Sequence, residues 1–412
     1  MSDRTIQNIF KSNADYLAAT PQPLKNRKAI YAIGNCRTPD MGISYFSCKS
    51  HHETIEQYHS CRNRSCFICG EKAKLEWIES EKKRLLNLPH FHVIFTLPHE
   101  YLNVWRYNEA LFADILFKAS QQTLFELMRD PKYHGVTPGL MVALHTWGRQ
   151  LNLHPHVHCL ITAGGINKGG EWKDTHQFLL PVRAVKKLYR GKVQGALYRA
   201  LQDKTLKLPP NMTTQQFFKR YRAAGQKSWS VRIEDRYEHG KGVMLYLSRY
   251  LKSGPLNPKQ LTYQGRKGFS LRYLDHRDHR KKQLHLSEHE LLKRLLTHVP
   301  PVGVHTVRHY GLYSTSCKAR KFETFKRIET LLTAKIKSSV TYKDMVLLCQ
   351  TCGEQAYLTF CLWMGKSKAQ PNRHDLKAFS INKVHDNRDV QQGDDADIAK
   401  EILGRSSSFS NS

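Results

Sequence analysis

His154-Pro155-His156-Val157-His158-Cys159-Leu160-Ile161 is the stretch from which the fold can be read. Side chains of an extended strand alternate faces with a period of two, so His154, His156 and His158 point one way while Val157, Cys159 and Ile161 point the other. A half-buried strand ordinarily offers hydroxyls or charges to water. Three neutral imidazoles in register are better suited to holding a divalent metal against a substrate.

The flanking chain places this strand in an α+β sheet. Phe91 to Leu97 is β-branched and aromatic between Pro89 and Pro98, and so reads as a strand. Asn108 to Asp130 carries Leu111, Phe112, Ile115, Leu116, Ala119, Leu124 and Leu127 near helical spacing. Leu140 to Trp147 reads as a second strand, joined to the histidine strand by a hairpin across Gly148 to Asn152. Gly164-Gly165 ends the histidine strand, and Val185 to Leu201 reads as another helix. The order strand, helix, strand, strand, helix suits a ferredoxin-like palm with an antiparallel sheet, whose open histidine face has room for a nucleic-acid strand.

Farther along, Val243 to Lys252 reads as a short helix stopped by Gly254 and Pro255. Tyr246 and Tyr250 are four apart and share a helix face, beside an apolar stripe of Val243, Leu247 and Leu251. A histidine-bound metal with two co-facial phenols is equipment for cutting a phosphodiester. The metal polarises the phosphate and a phenolate attacks phosphorus, forming a covalent phosphotyrosine.

The charge points to the same substrate. The 412 residues carry 65 Lys plus Arg against 35 Asp plus Glu, a formal net charge of +30, so the surface attracts a polyanion. No long apolar run or basic amphipathic helix argues for a membrane, and nucleic acid is the economical partner. Met1 to Lys11 mixes polar and charged groups without an apolar core, which predicts a chain kept in the reducing cytoplasm. There its ten cysteines are expected as metal ligands or buried thiols rather than disulfides.

Cys36, Cys48, Cys61, Cys66 and Cys69 crowd near the amino end with His51, His52 and His59. Cys66-Phe67-Ile68-Cys69 is a two-residue-spaced knuckle, and Cys48-Lys49-Ser50-His51 is a second pair at the same spacing. Thiolate and imidazole donors so spaced suit Zn²⁺. The spacing predicts Cys48, His51, Cys66 and Cys69 as one structural site, with Cys36, Cys61 and either His52 or His59 in a second. Arg62, Arg64, Lys72 and Lys74 give this module a phosphate-contacting character.

In the carboxyl-terminal third, Arg266, Lys267, Arg272, Arg277, Arg280, Lys281 and Lys282 alternate with Tyr263, Phe269 and Tyr273. That mixture suits single strands or a solvated basic loop equally. Cys349-Gln350-Thr351-Cys352 is a knuckle with no second half nearby in the sequence, and on that ground a metal there is not expected. The expected organisation is a zinc-binding DNA-recognition module over 1–85, a catalytic domain over 86–315, a region with the late knuckle over 316–385 and a disordered tail over 386–412.

Six motifs occur in an order that resembles a known family: Cys61-Arg62-Asn63-Arg64-Ser65-Cys66-Phe67-Ile68-Cys69, Phe95-Thr96-Leu97-Pro98-His99-Glu100, His145-Thr146-Trp147-Gly148, His154-Pro155-His156-Val157-His158, Tyr246-Leu247-Ser248-Arg249-Tyr250 and Arg308-His309-Tyr310-Gly311. Together they resemble rolling-circle insertion-sequence transposases of the two-tyrosine HUH class, the ninety-one type, over roughly residues 30 to 315. The resemblance implies an HUH endonuclease palm with His156 and His158 as ligands of Mg²⁺ or Mn²⁺, Tyr246 and Tyr250 as nucleophiles, and Zn²⁺ in the amino-terminal module. Geometry adds His154 as third ligand, with His145 and Gln150 as alternatives. Arg249, Lys252, Arg266 and Lys267 are expected to contact DNA.

By that likeness the protein nicks single-stranded DNA at element ends through a 5′-phosphotyrosine and transfers strands by a rolling-circle route. Its partners are DNA ends and target, its place is the nucleoid, an oligomer is allowed, and no membrane is involved. Two departures stand out: Cys48-Lys49-Ser50-His51 where the family has Cys-x-x-Cys, and Gly254-Pro255 where it often has a diproline. A replication initiator or relaxase shares the chemistry. A non-catalytic zinc-finger regulator leaves the histidines and tyrosines unexplained.

Overall fold

The computed structural model describes residues 3–82, 84–86, 88–238, 254–275, 278–321, 323–326, 347–363 and 366–368. In chain order the elements begin with α1 (Asp3–Ser12), α2 (Ala14–Ala19), α3 (Leu24–Gly34), β1 (Ile43–Ser47), β2 (Thr54–Tyr58), α4 (Phe67–Lys82) and β3 (His90–Thr96). Next come α5 (Leu102–Trp105), α6 (Glu109–Arg129), β4 (Gly139–Trp147), β5 (Leu153–Thr162), β6 (Gly164–Ile166), β7 (Trp172–Asp174), α7 (Val182–Gln202), α8 (Thr214–Gln226) and β8 (Val231–Tyr237). They close with β9 (Leu261–Tyr263), β10 (Phe269–Leu274), β11 (Lys281–Leu286), α9 (Glu288–Thr297), β12 (Val307–Gly311), β13 (Tyr357–Trp363) and β14 (Lys366–Lys368). The chain divides into two compact units, Met1–Ala73 with Ser338–Ser412, and Lys74–Lys337.

In the first unit, helices α1 to α3 bury Ile6, Ile9, Phe10, Leu17, Ala29 and Ile33. Its sheet has the order β14-β13-β1-β2. Strand β13 pairs antiparallel with β1, from Ile43 opposite Leu362 to Ser47 opposite Tyr357. The stretch expected as a separate region over 316–385 is therefore divided, because its last strands are hydrogen-bonded into the amino-terminal sheet.

The second unit is built on a five-stranded antiparallel sheet, β12-β4-β5-β3-β8. Counting only β3, β4, β5 and β8, with α6 after β3 and α7 and α8 before β8, gives the split βαββαβ arrangement of a ferredoxin-like sheet, and β12 extends its edge. Strand alternation explains which face is which. Phe91, Val93, Phe95, Leu140, Val142, Leu144, Val157, Cys159 and Ile161 point to the helices and join one core with Phe112, Leu116, Tyr189 and Val193. Met141, Ala143 and Leu160 point to the other face and pack with Ile78, Leu312, Tyr313 and Phe325. Further along that second face the row turns to imidazole.

Helix α6 starts after Asn108 and ends at Asp130, close to its sequence reading. The expected hairpin closes through Gly148 N–H to Asn152 C=O at 2.9 Å. The basic stretch over 264–285 forms most of a three-stranded meander, β11-β10-β9, with Tyr263 against buried Phe269 at 5.1 Å between ring centroids. The glycine of Arg308-His309-Tyr310-Gly311 is required by its backbone: at φ +60°, a Cβ on Gly311 would collide with the Pro138 carbonyl.

Candidate metal centres

Register builds the imidazole cluster. His145 on β4 lies directly opposite His156 on β5, and directly opposed residues share a face with Cβ atoms about 5 Å apart. His158 follows two residues on, hence on that face too. Ligand nitrogens of His145, His156 and His158 all lie within 4.8 Å of one another. The expected third member, His154, is not in this set. It sits one step outward between His99 and His156, at 6.0 and 5.3 Å between ring centroids. Gln150, the other alternative, donates instead to the Tyr273 hydroxyl at 2.9 Å.

Hydrogen bonds settle which nitrogens converge. His156 Nδ1 sits 2.7 Å from the His154 carbonyl, which fixes the proton there and leaves Nε2 as an acceptor. His158 Nδ1 lies 2.9 Å from His92 Nε2, from strand β3, and its own Nε2 is 3.0 Å from that of His156. Two nitrogens at right angles on an octahedral ion with bonds of about 2.1 Å would stand about 3.0 Å apart, so the pair is spaced as neighbouring ligands of a divalent cation. Burial pushes His156 down to about 4 and His92 to about 3, and it also drives His158 well below the usual range. The rings are therefore neutral near pH 7, the state that ligates metal.

His92 is a site residue the sequence reading passed over, although its parity on β3 puts it on the histidine face. Two further motifs of the second unit, His145-Thr146-Trp147-Gly148 and Arg308-His309-Tyr310-Gly311, are held by packing and hydrogen bonds. His145 stacks on Trp147 at 4.3 Å, Trp147 abuts His298, and His298 is bonded to Thr146 at 3.1 Å and to the Leu151 carbonyl at 3.0 Å. Arg308 pairs with Asp114 at 2.9 Å over the Phe117 ring, and His309 meets buried Glu81 at 2.9 Å. Arg266 and Lys267 are exposed in the turn before β10. Tyr246, Arg249, Tyr250 and Lys252 lie outside the described residues.

The cysteines group differently from the expected pairing. Cys36 after α3, Cys61 after β2, Cys66 before α4 and Cys69 in its first turn form one cluster within 4.8 Å. Cys48 joins His52, Cys349 and Cys352 in another. Cys48 and His51 thus do not share a site with Cys66 and Cys69, and His59 is bonded to Ser44 at 2.8 Å. His51 is bypassed for a backbone reason. Its φ is +53°, a left-handed residue closing the turn with its N–H to the Cys48 carbonyl at 3.1 Å, and the next residue, His52, turns back to Cys48.

The four-cysteine cluster passes a fit test for zinc. Sulfurs at the corners of a tetrahedron with Zn–S bonds of about 2.3 Å are about 3.8 Å apart. Cys36 to Cys69 and Cys61 to Cys69 measure 3.5 and 3.6 Å. Thiol hydrogen bonds from Cys36, Cys61 and Cys66 pull Cys69 down, and those from Cys61 and Cys66 bring Cys36 to about 7, while Cys61 and Cys66 are raised. Four sulfur donors gathered at this spacing suit a zinc ion between them. Arg62 and Arg64 are exposed on the same loop.

The architecture is that of a basic protein with a thiolate module and a ferredoxin-like sheet presenting an imidazole cluster. The transposase zinc-binding domain family matches residues 8–97, and a putative transposase family matches residues 139–321. The putative transposase y4qJ of Sinorhizobium fredii is 31% identical over 325 residues, 77% of this chain and 82% of that protein. The transposase for insertion sequence element IS801 of Pseudomonas savastanoi pv. phaseolicola is 31% identical over 283 residues, 67% of each. No solved structure matches the chain. The chain belongs to the IS91 family of insertion-sequence transposases with an amino-terminal zinc-binding domain. No described helix is long and apolar enough to cross a membrane.

Proposed function

We propose that the protein is a metal-dependent tyrosine DNA endonuclease and strand transferase that moves its element by a rolling-circle route. The observation that carries this reading is the convergence of His145, His156 and His158 on one sheet face, with their nitrogens within 4.8 Å. A cation of the Mg²⁺ or Mn²⁺ type bound there would supply Lewis-acid polarisation of the scissile phosphate. The protein's own groups do the rest. His156 and His158 hold their Nε2 atoms toward the site, and His92 fixes the tautomer of His158 from behind.

The nucleophiles are Tyr246 and Tyr250, assigned from their four-residue spacing and from the family resemblance. One phenolic oxygen, having lost its proton, attacks phosphorus; the bond to the 3′-oxygen breaks, and that oxygen takes up a proton. The products are a 5′-phosphotyrosyl protein and a free 3′-hydroxyl, so the bond energy is kept for rejoining without ATP. A second tyrosine lets another strand be cut while the first stays attached. Single-stranded DNA at element ends is the substrate, and Arg62, Arg64, Arg249, Lys252, Arg266 and Lys267 contribute backbone contacts.

A replication initiator or relaxase would use the same chemistry, but family membership favours transposition. The test is a denaturing gel of the protein with a labelled single-stranded oligonucleotide spanning an element end. A covalent shift that maps to Tyr246 or Tyr250 and disappears in the Tyr246→Phe, Tyr250→Phe double variant supports the reading. An adduct at another residue, or none with either protein, overturns it.

A further inference from the structure

We propose that Cys48, His52, Cys349 and Cys352 form a second structural zinc site that locks the carboxyl-terminal knuckle onto the amino-terminal module. The four ligand atoms lie within 4.8 Å of one another, though the two halves are some three hundred residues apart in the chain. The zinc-binding family match ends at residue 97, so half of this site lies outside it.

Three features of the backbone bring the halves together. Strand β1 ends at Ser47 opposite Tyr357, the first residue of β13, so Cys48 leaves the sheet beside the chain that arrives from the knuckle. Cys349 opens a tight turn, with its N–H to the Glu354 carbonyl at 2.8 Å and the Gly353 N–H to its own carbonyl at 2.9 Å. Gly353 has φ +72°, the left-handed step that lets a knuckle fold back after its second cysteine. In addition, the Gln350 N–H donates to the Glu53 carboxylate, a direct tie between the two segments.

The donors suit zinc. Cys48 Sγ is 3.7 Å from His52 Nδ1 and accepts the His52 N–H at 3.4 Å, as a metal-bound thiolate does from a knuckle backbone. Three thiolates and one imidazole are a standard tetrahedral zinc set. The consequence is that the module is bipartite, assembled only once the segment around Cys349 and Cys352 has joined it.

Zinc content of the purified full-length protein tests this without DNA, and so independently of the cleavage reading. The wild type should hold two zinc ions per chain, and the Cys349→Ser, Cys352→Ser double variant one. Spectra of the cobalt(II)-loaded protein guard against misfolding: His52→Cys should keep two ions and shift the d–d bands as nitrogen is replaced by sulfur, whereas His51→Cys should leave them unchanged. One zinc in the wild type, two in the double cysteine variant, or a band shift in His51→Cys instead of His52→Cys overturns the proposal.

Discussion

The imidazole cluster and the four-cysteine cluster gather donors by different means. His145, His156 and His158 come from adjacent strands whose register is fixed by a hairpin and by an apolar core on the opposite face, so the sheet sets their positions. Cys36, Cys61, Cys66 and Cys69 come from a helix end, a loop and a helix start, places where the backbone is not held by a ladder. The first arrangement is preorganised and can leave coordination positions for a substrate, whereas the second closes on itself and needs its ion to stay closed. On the proposed reading, one site acts and the other holds.

The largest expected effect breaks the holding site. Cys66→Ser, or removal of zinc by a strong chelator, should unfold residues 3–73 while β3 to β5 keep their amide protection, since structural zinc contributes on the order of 10 kcal/mol to small modules. Hydrogen exchange read separately over the two stretches checks this. Equal loss of protection in both would erase the contrast.

A smaller effect sharpens the acting site. His92→Ala should weaken Mn²⁺ affinity about 10- to 100-fold by releasing the His158 ring, and His92→Gln, which keeps a hydrogen-bonding side chain, should recover part of it. Calorimetric titration of Mn²⁺ measures both. Unchanged affinity in His92→Ala would reduce His92 to a packing group.

The smallest effect concerns pH. His90, fully buried on the same face and 2.6 Å from the Tyr313 hydroxyl, is pushed down to about 3 by burial. Its folded pKa lies below the ordinary 6.5, so the unfolded chain binds the proton more readily, and the stability this neutral ring permits is full above about pH 6.5 and falls as pH drops toward 3. At pH 5 the loss is roughly 2 kcal/mol. Urea unfolding at pH 8 and pH 5 should show a drop in the wild type that shrinks by about that amount in His90→Gln, and an equal drop in both would contradict it.

Much of this was legible in the sequence because strand parity and helical periodicity are local. The palm's order, helix α6 between Asn108 and Asp130, the Gly148 to Asn152 hairpin and the facing of His156 and His158 all follow from short-range pattern. The choice of His145 over His154 depends on pairing across the hairpin, which parity alone does not give. Partner choice among the cysteines was less legible still. It turns on the pairing of β1 with β13, a contact between opposite ends of the chain, and on one left-handed residue, His51. The late knuckle, which has no evident second half nearby in the sequence, finds Cys48 and His52 only through that pairing.

On the proposed mechanism, the histidine face carries a metal that serves cleavage rather than binding. The most direct measurement is single-strand cleavage by His156→Ala and His158→Ala, with and without Mn²⁺, beside their affinity for the same labelled oligonucleotide. Neither variant should cleave or form a covalent adduct, and DNA affinity should stay close to that of the wild type, because basic groups supply the binding. Cleavage at the wild-type rate by the double variant with Mn²⁺ present would contradict it.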